Sequence, residues 1–310
     1  MASSHESPAL IRRADALEAG LTDASLRRSH RAVFRGVHLD RGTEPTVRAR
    51  AQAALSVVTP GSFVSHHTAA VLWGGVVPDD PDVHVCSPRN RTRRVGITAH
   101  RVKTGHQVVT FRGLRVTSPA QTFLDLAQRL GLVDLVVLGD SLVRAGRTTP
   151  TELTDRARHH RGPHSRLARQ AASFVRDGVD SPMETRVRLL IVLAGLPEPE
   201  VDHRVHHADG RLLRRHDLSY LPYRLIIEYD GRQHAESGEQ WFCDIERDEE
   251  LDDERIRRLV VVSRDVYSTP ARTLARVVKA MRSVGMPVPR LRDDWRRHFP
   301  SRPGDLAVPA

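Results

Sequence analysis

The last third of the chain constrains the fold most, because helix-like and strand-like patterns alternate there in a fixed order. Ser181 is a good N-cap, Pro182 suits the first helical turn, and Gly195 ends the apolar pattern that follows. The turn signal at residues 209–210 predicts a hairpin, and residues 225–227 are apolar on both faces, which predicts a central strand. We predict the order αβββαβ with a further helix at its end, over residues 181–195, 201–207, 212–218, 223–229, 239–255, 259–263 and 268–281.

Acidic residues stand near the ends of the second and third of these strands. Asp217 lies in the second strand, and Glu228 and Asp230 share one face of the third because they are two residues apart. Carboxylates that converge at one sheet edge repel one another, and a divalent cation such as Mg²⁺ removes that cost. Held against a phosphodiester, such a cation activates water. The alternative is that Asp217 and Glu228 are solvated charges at the sheet edge and that Asp230-Gly231 is only a turn.

The charge balance points to a polyanionic partner. The 310 residues include 48 Lys and Arg against 38 Asp and Glu, a net charge of +10, which favours nucleic acid or an anionic membrane surface. A membrane-spanning helix needs about 20 apolar residues, whereas the longest apolar run covers only residues 189–196. Two cysteines exclude a disulfide scaffold and an all-cysteine metal site. Residues 1–14 lack a signal-peptide core, so we expect a cytoplasmic protein. Because the apolar run is too short to span a membrane, we expect DNA rather than a membrane as the partner.

The N-terminal part has the outline of a winged helix-turn-helix. The pattern predicts a helix over residues 8–20, a second helix over residues 23–30 and a β-rich stretch over residues 32–39. The candidates for contacts to DNA phosphates or base edges are Arg27, Arg28, Arg31 and Arg35. The alternative is a small helical cap whose arginines are only solvated.

The middle of the chain also alternates between helix and strand patterns. We predict helices over residues 47–58, 61–72, 132–143 and 150–175 and from residue 117, and strands over residues 83–85, 96–100, 108–111 and 114–116. A loop carries either a second phosphate-contact patch or solvated charges, at Arg89, Arg91, Arg93 and Arg94. The adjacent His66 and His67 point about 100° apart on a helix, so we expect structural roles rather than a shared metal ion.

Four short motifs occur in order within residues 9–129. They are Phe34-Arg35-Gly36-Val37, the helix of residues 65–73, His100-Arg101 and Val116-Thr117-Ser118-Pro119-Ala120. This order resembles the abortive-infection type IV antitoxin family (AbiEi-like). The resemblance implies a DNA-binding winged helix that represses its own promoter and an α/β domain behind it. It also implies a cognate toxin protein as a partner.

A second set of motifs covers residues 180–278. It comprises Ser181-Pro182-Met183-Glu184, His216-Asp217, residues 226–234, Arg247-Asp248 and residues 260–264. The set resembles the PD-(D/E)XK nuclease superfamily, specifically the group related to the very-short-patch-repair DNA endonuclease. The resemblance implies a restriction-endonuclease-like core in which Asp217, Glu228 and the main chain of Tyr229 hold Mg²⁺ or Mn²⁺. Glu184 would orient a metal-bound water, and His234 would be the general base.

The chain departs from the superfamily pattern at two positions. The lysine position holds Asp230, so an acid, His234 or an arginine must take over the role of that charge, and His216 replaces a proline. Glu184 has an alternative role as the third residue of a capping box. Arg247 either contacts phosphate or pairs with an acid on its own helix. A zinc site is not expected because no HExxH or CxxC frame connects His203, His206, His207 and His216.

We therefore expect an α/β multi-domain protein. The predicted parts are a winged helix, an AbiEi-like α/β domain, a helical linker, a nuclease-like αβββαβ domain and a tail, at residues 1–45, 46–145, 146–179, 180–285 and 286–310. The predicted function is DNA binding coupled to metal-dependent phosphodiester hydrolysis. The alternative is a non-enzymatic transcriptional repressor or antitoxin with a vestigial nuclease fold.

Overall fold

The computed structural model describes residues 10–88, 94–102, 105–207, 209–231 and 254–300. Within these residues the chain is a mixed α/β protein with three β-sheets and eleven α-helices. It divides into two compact units. The front unit comprises Met1–Leu130 and Ala145–Ser173, and the rear unit comprises Gly131–Arg144 and Phe174–Ala310. No helix in the described ranges has the length and apolar character that a membrane crossing requires.

The front unit begins with two short helices and a small antiparallel sheet of order β1-β3-β2. Its elements are β1 (Leu10–Arg12), α1 (Arg13–Glu18), α2 (Asp23–Ser29), β2 (His30–Phe34) and β3 (Val37–Asp40). The prediction of one helix over residues 8–20 is wrong at its start, because Leu10–Arg12 pair with β3 and so gain main-chain partners outside their own segment. The prediction of α2 is confirmed to within one residue.

The rest of the front unit surrounds a five-stranded mixed sheet of order β6-β5-β4-β8-β7. Its elements are α3 (Val47–Leu55), β4 (Phe63–Val64), α4 (His66–Trp73), β5 (Val83–Ser87), β6 (Ile97–Arg101), β7 (Val108–Phe111), β8 (Leu114–Thr117), α5 (Pro119–Leu126), α7 (Pro150–His159) and α8 (Ser165–Phe174). The four predicted strands are confirmed within one or two residues. The predicted helix over residues 61–72 starts late, because Phe63–Val64 pair with β5 and β8 as a short central strand.

The rear unit contains the third sheet, of order β12-β11-β10-β9. Its elements are α6 (Leu132–Arg144), α9 (Pro182–Leu193), β9 (Glu200–His206), β10 (Leu212–Tyr220), β11 (Leu225–Tyr229), β12 (Arg257–Val261), α10 (Ser263–Tyr267) and α11 (Pro270–Ser283). Pairing is antiparallel except between β11 and β12. The prediction that residues 225–227 form a central strand is confirmed, since β11 has a neighbour on each side.

Three features of the rear unit differ from the sequence prediction. Helix α6, which we assigned to the middle domain, is part of the rear unit. The last helix is two helices, α10 and α11, rather than one over residues 268–281. Residues 286–300 of the predicted separate tail pack against the rear unit, because Trp295 is 1% exposed and the Arg292 N–H donates to the Ala194 carbonyl at 2.9 Å. The predicted helix over residues 239–255 lies almost wholly outside the described residues.

Candidate functional site

The acidic residues predicted as metal ligands lie at the edge where β10 and β11 stop pairing. The paired residues run from Tyr220↔Leu225 to Leu218↔Ile227. Just beyond them, Oδ2 of Asp217 accepts a hydrogen bond from the Tyr229 N–H at 2.9 Å. A side chain of β10 thus meets the main chain of β11 at this edge, where the two strands carry their acids.

An open cleft of about 340 Å³ lies at this edge. Its lining residues are Arg215, Asp217, Glu228, Tyr229, Asp230, Gly231 and Arg258. The structure therefore brings four of the predicted site residues together in one place. The Asp230 N–H donates to the Val261 carbonyl at 2.9 Å, so Asp230 extends the parallel pairing of β11 with β12.

Glu184 occupies the third position of α9 and combines a capping role with burial. Its N–H donates to Oγ of Ser181 at 3.1 Å, and its own carboxylate accepts from the Asp180 N–H at 3.0 Å. Glu184 is 6% exposed. Burial, and next the charge of Asp217, raise the pKa of Glu184 to about 7. The charge of Asp217 therefore acts on the buried Glu184 carboxyl.

A second helix of the chain shows that a glutamate in the same capping position need not be buried. Helix α7 begins with Thr149-Pro150-Thr151-Glu152, which has the same pattern as the start of α9. The Glu152 N–H donates to Oγ1 of Thr149 at 3.1 Å, as a capped residue should, but Glu152 is exposed. A cap alone therefore does not require a buried carboxylate, and Glu184 has an environment that the capping motif does not explain.

The Glu228 carboxylate is held on both oxygens. Nε of Arg258 donates to Oε2 at 2.9 Å, and Nδ1 of His216 lies 3.3 Å from Oε1. The His216 ring stacks on His203 with 6.2 Å between centroids. The sequence predicts no site role for His216, whereas the structure has its ring in contact with the Glu228 carboxylate.

Sequence reasoning missed Arg258 because we predicted that its strand begins at Leu259. The strand begins at Arg257, and Val260 is the partner of Glu228 in the parallel register. Arg258 is two residues before Val260, so it lies on the same face as Glu228. The sequence does contain an indication of this. Two arginines directly precede the apolar run of β12, and the preceding strand, β11, carries an acid near its end.

Arg215 connects β10 to the turn that precedes α9. It forms ion pairs with Asp180 and Asp202, and its Nη2 donates to the Gly178 carbonyl at 2.9 Å. Asp180 stands directly before the N-cap of α9. The pairs therefore help to fix Glu184 relative to Asp217 on β10.

A buried ion network fixes the other side of α9, and sequence reasoning missed it. Arg188 is 0% exposed, and its guanidinium donates to Asp140 at 2.9 Å and to Glu198 at 3.0 Å. Asp140, on α6, also accepts from the Thr185 hydroxyl and the Arg176 N–H, each at 2.8 Å. A buried charge of this kind is tolerated only when it is paired and hydrogen-bonded.

The predicted DNA-contact residues lie in the front unit. Arg27 and Arg28 are exposed in the last turn of α2. Arg31 donates to the Thr43 carbonyl, and Arg35 is exposed in the turn between β2 and β3. Two other predicted residues, His234 and Arg247, lie outside the described residues.

A wide groove of about 1310 Å³ borders this region. The described residues that line it include no acid and four arginines, which are Arg12, Arg13, Arg35 and Arg94. Arg13 is paired with Asp23 at 2.6 Å. One predicted DNA-contact residue and one residue of the predicted second patch therefore share this groove.

No protein family model matches the chain. Two proteins of Mycobacterium tuberculosis are similar to it, namely Uncharacterized protein Rv2248 of strain H37Rv and Uncharacterized protein MT2308 of strain CDC 1551. Each is 28% identical over 239 residues, which make up 76% of this chain and 87% of the relative. The similarity thus extends over most of both chains.

Proposed function

We propose that the protein binds DNA through its front unit and hydrolyses a phosphodiester with a metal ion held in the acidic cleft of its rear unit. The proposal rests on the meeting of Asp217, Glu228 and Asp230 in one cleft, and on the charge of Asp217 acting on the buried Glu184 carboxyl. Carboxylates gathered in this way repel one another, and a bound cation offsets that cost.

The donor atoms of the cleft suit a hard cation. The carboxylates of Asp217 and Glu228 and the carbonyl of Tyr229 offer oxygen ligands, which Mg²⁺ and Mn²⁺ prefer. When bound there, the cation supplies an activated water and stabilises charge on the phosphate. Glu184 would hold that water by a hydrogen bond. His216 and Arg258 would set the orientation of the Glu228 carboxylate.

Arg258 offers a substitute for the lysine that the nuclease superfamily carries. It lies in the cleft beside Glu228, and a guanidinium binds phosphate oxygens in a fixed, bidentate geometry. It stays protonated, so it can bind the scissile phosphate but cannot take a proton. Proton removal from water would then be left to an acid or to His234.

The two folds fit the proposal. In the front unit, α1 and α2 precede β2 and β3, and β1 completes the three-stranded sheet, an order that supports a winged helix. In the rear unit, α9 leads into three antiparallel strands and β12 returns parallel to β11, an order that supports a restriction-endonuclease-like core. The exposed Arg27 and Arg28 and the arginine-lined groove would contact the DNA backbone.

The test is cleavage of supercoiled plasmid and linear duplex DNA by the full chain in Mg²⁺ or Mn²⁺. We expect Asp217→Asn and Glu228→Gln to slow cleavage by at least about 100-fold, equal to roughly 2.7 kcal/mol in the barrier. Glu152→Gln, in the matched cap of α7, should cleave like the parent. Equal cleavage by the parent and both cleft variants would contradict the proposed site.

One observation favours a second candidate, a repressor or antitoxin with a vestigial site. Both oxygens of Glu228 are already occupied by Arg258 and His216, so the chain itself supplies a cation for this acid. If this second candidate is right, the parent does not cut DNA in the presence of Mg²⁺ or of Mn²⁺. It protects a specific promoter sequence without a divalent cation, and Asp217→Asn leaves the footprint unchanged.

A further inference from the structure

A cluster of two histidines and one aspartate in the front unit is separate from the acidic cleft. His67 lies on α4, Asp80 follows that helix, and His84 lies on β5. Oδ2 of Asp80 is 3.0 Å from Nε2 of His84 and 4.0 Å from Nδ1 of His67. The three ligand atoms all lie within 4.8 Å of one another. In the described part of the chain, no other group of three such residues meets this criterion.

The two imidazole nitrogens that face Asp80 are buried without a hydrogen-bond partner among the described residues. They are Nδ1 of His67 and Nε2 of His84, which is close to Asp80 but not aligned for a hydrogen bond. A buried polar atom without a hydrogen-bond partner destabilises the folded protein. A cation bound by Nδ1 of His67, Nε2 of His84 and Oδ2 of Asp80 would satisfy both nitrogens, of which the His84 nitrogen now has only its ion pair with Asp80.

Neighbouring residues orient His84 and Asp80 for metal binding. Nδ1 of His84 is 2.9 Å from Nε2 of His100, so a proton on Nδ1 leaves the lone pair of Nε2 facing Asp80. Oδ1 of Asp80 accepts the Asp82 N–H at 3.0 Å, which directs Oδ2 toward the histidines.

We propose that His67, Asp80 and His84 form a site for a divalent transition metal, with Zn²⁺ as the best match. Two imidazoles and one carboxylate suit zinc and its neighbours, whereas Mg²⁺ and Ca²⁺ prefer oxygen ligands. Tetrahedral zinc places its ligand atoms about 3.3 Å apart. The distances from Oδ2 of Asp80, 3.0 Å to Nε2 of His84 and 4.0 Å to Nδ1 of His67, lie on either side of that value.

A cavity beside the cluster gives access to His67 and Asp80. A cavity of about 200 Å³ is lined by His67, Asp80 and also by Asp79 and Asp82. Three protein ligands with an open side are typical of zinc sites that bind water or a further ligand. The guanidinium of Arg129 lies 4.0 Å from Oδ2 of Asp80 and is partly exposed, so it can turn toward solvent when a cation binds.

The test is a Co²⁺ and Zn²⁺ titration of the chelator-treated full chain in excess Mg²⁺, which occupies oxygen-rich sites. Co²⁺ at a site with few ligands gives intense visible bands, and we expect one equivalent to bind and Zn²⁺ to displace it. Asp80→Asn should weaken binding at least tenfold, whereas Asp79→Asn, in the same cavity, should bind like the parent. Circular dichroism checks that each variant is folded.

His67→Gln provides a second variant if Asp80→Asn does not fold, and it should also remove the visible bands. Absence of the bands in the parent would overturn the proposal. Bands of equal strength in the parent, Asp80→Asn and His67→Gln would overturn it too, because the metal would then bind elsewhere. The outcome is independent of DNA cleavage, so it does not depend on the function proposed for the rear unit.

Discussion

The buried carboxyl of Glu184 should make the stability of the rear unit depend on pH. Its pKa is raised to about 7 from an ordinary value of 4.5, first by burial and then by the charge of Asp217. A shift of this size corresponds to roughly 3 kcal/mol. Because the folded pKa is the higher one, this contribution is fully present below about pH 4.5 and is lost as pH rises through about 7.

Glu184→Gln tests this reasoning because glutamine keeps the shape and an acceptor oxygen but does not titrate. At about pH 5 the variant and the parent should have similar free energies of unfolding, by urea denaturation followed by circular dichroism. At about pH 8 the variant should be more stable by up to roughly 3 kcal/mol. Saturating Mg²⁺ should shrink the difference, since a cation beside Asp217 favours the ionised carboxylate.

Glu152→Gln is the matched control, because Glu152 has the same place in its helix but is exposed. The plot of the free energy of unfolding against pH for Glu152→Gln should run parallel to the plot for the parent. If the Glu184→Gln curve also runs parallel to the parent, burial and the neighbouring Asp217 do not perturb this carboxyl. The link between Glu184 and the acidic cleft would then be refuted.

Three further predictions concern arginines. Arg188→Met should lower the free energy of unfolding by about 3–5 kcal/mol in urea denaturation, because it leaves a buried carboxylate without its partner. Arg258→Gln should tighten Mg²⁺ binding several-fold in calorimetry by releasing Glu228, yet slow DNA cleavage at least tenfold. Arg27→Gln with Arg28→Gln should weaken DNA binding and reduce the slope of log K against log salt by about 2.

Each of these predictions has an outcome that contradicts it. An unchanged stability of Arg188→Met would mean that the buried network contributes nothing. Unchanged Mg²⁺ affinity in Arg258→Gln would mean that Glu228 is not the ligand for which metal and arginine compete. An unchanged salt slope in the double variant would remove α2 from the proposed DNA interface. Arg282→Gln, on the exposed face of α11, is the control.

The sequence allowed the acidic cleft to be predicted because its parts are local. A tight turn at Asp209-Gly210 aligns β9 with β10, and the apolar run before Glu228 identifies the central strand. Positions such as Asp217 and Glu228 then follow from counting along paired strands. The confirmed elements, including β11 and α2, are those in which a strong period and a turn or cap agree.

The features that were missed depend on contacts between distant segments. Leu10–Arg12 form a strand only because β3 is beside them, and Trp295 is buried although the residues around it look like a tail. Arg188 sits within an apolar helix pattern, and nothing near it in sequence indicates Asp140 as its partner. The cluster of His67, Asp80 and His84 likewise draws on three separate segments, so spacing alone could not reveal it.

The central claim is that Asp217 and Glu228 hold one hard cation in the cleft of the rear unit. Mn²⁺ titration of the full chain, followed by electron paramagnetic resonance of the free ion, measures this directly. We predict one bound Mn²⁺ that Mg²⁺ displaces, with affinity reduced at least tenfold in Asp217→Asn and in Glu228→Gln. Binding of equal strength in the parent and both variants, or no binding to the parent, would contradict the claim.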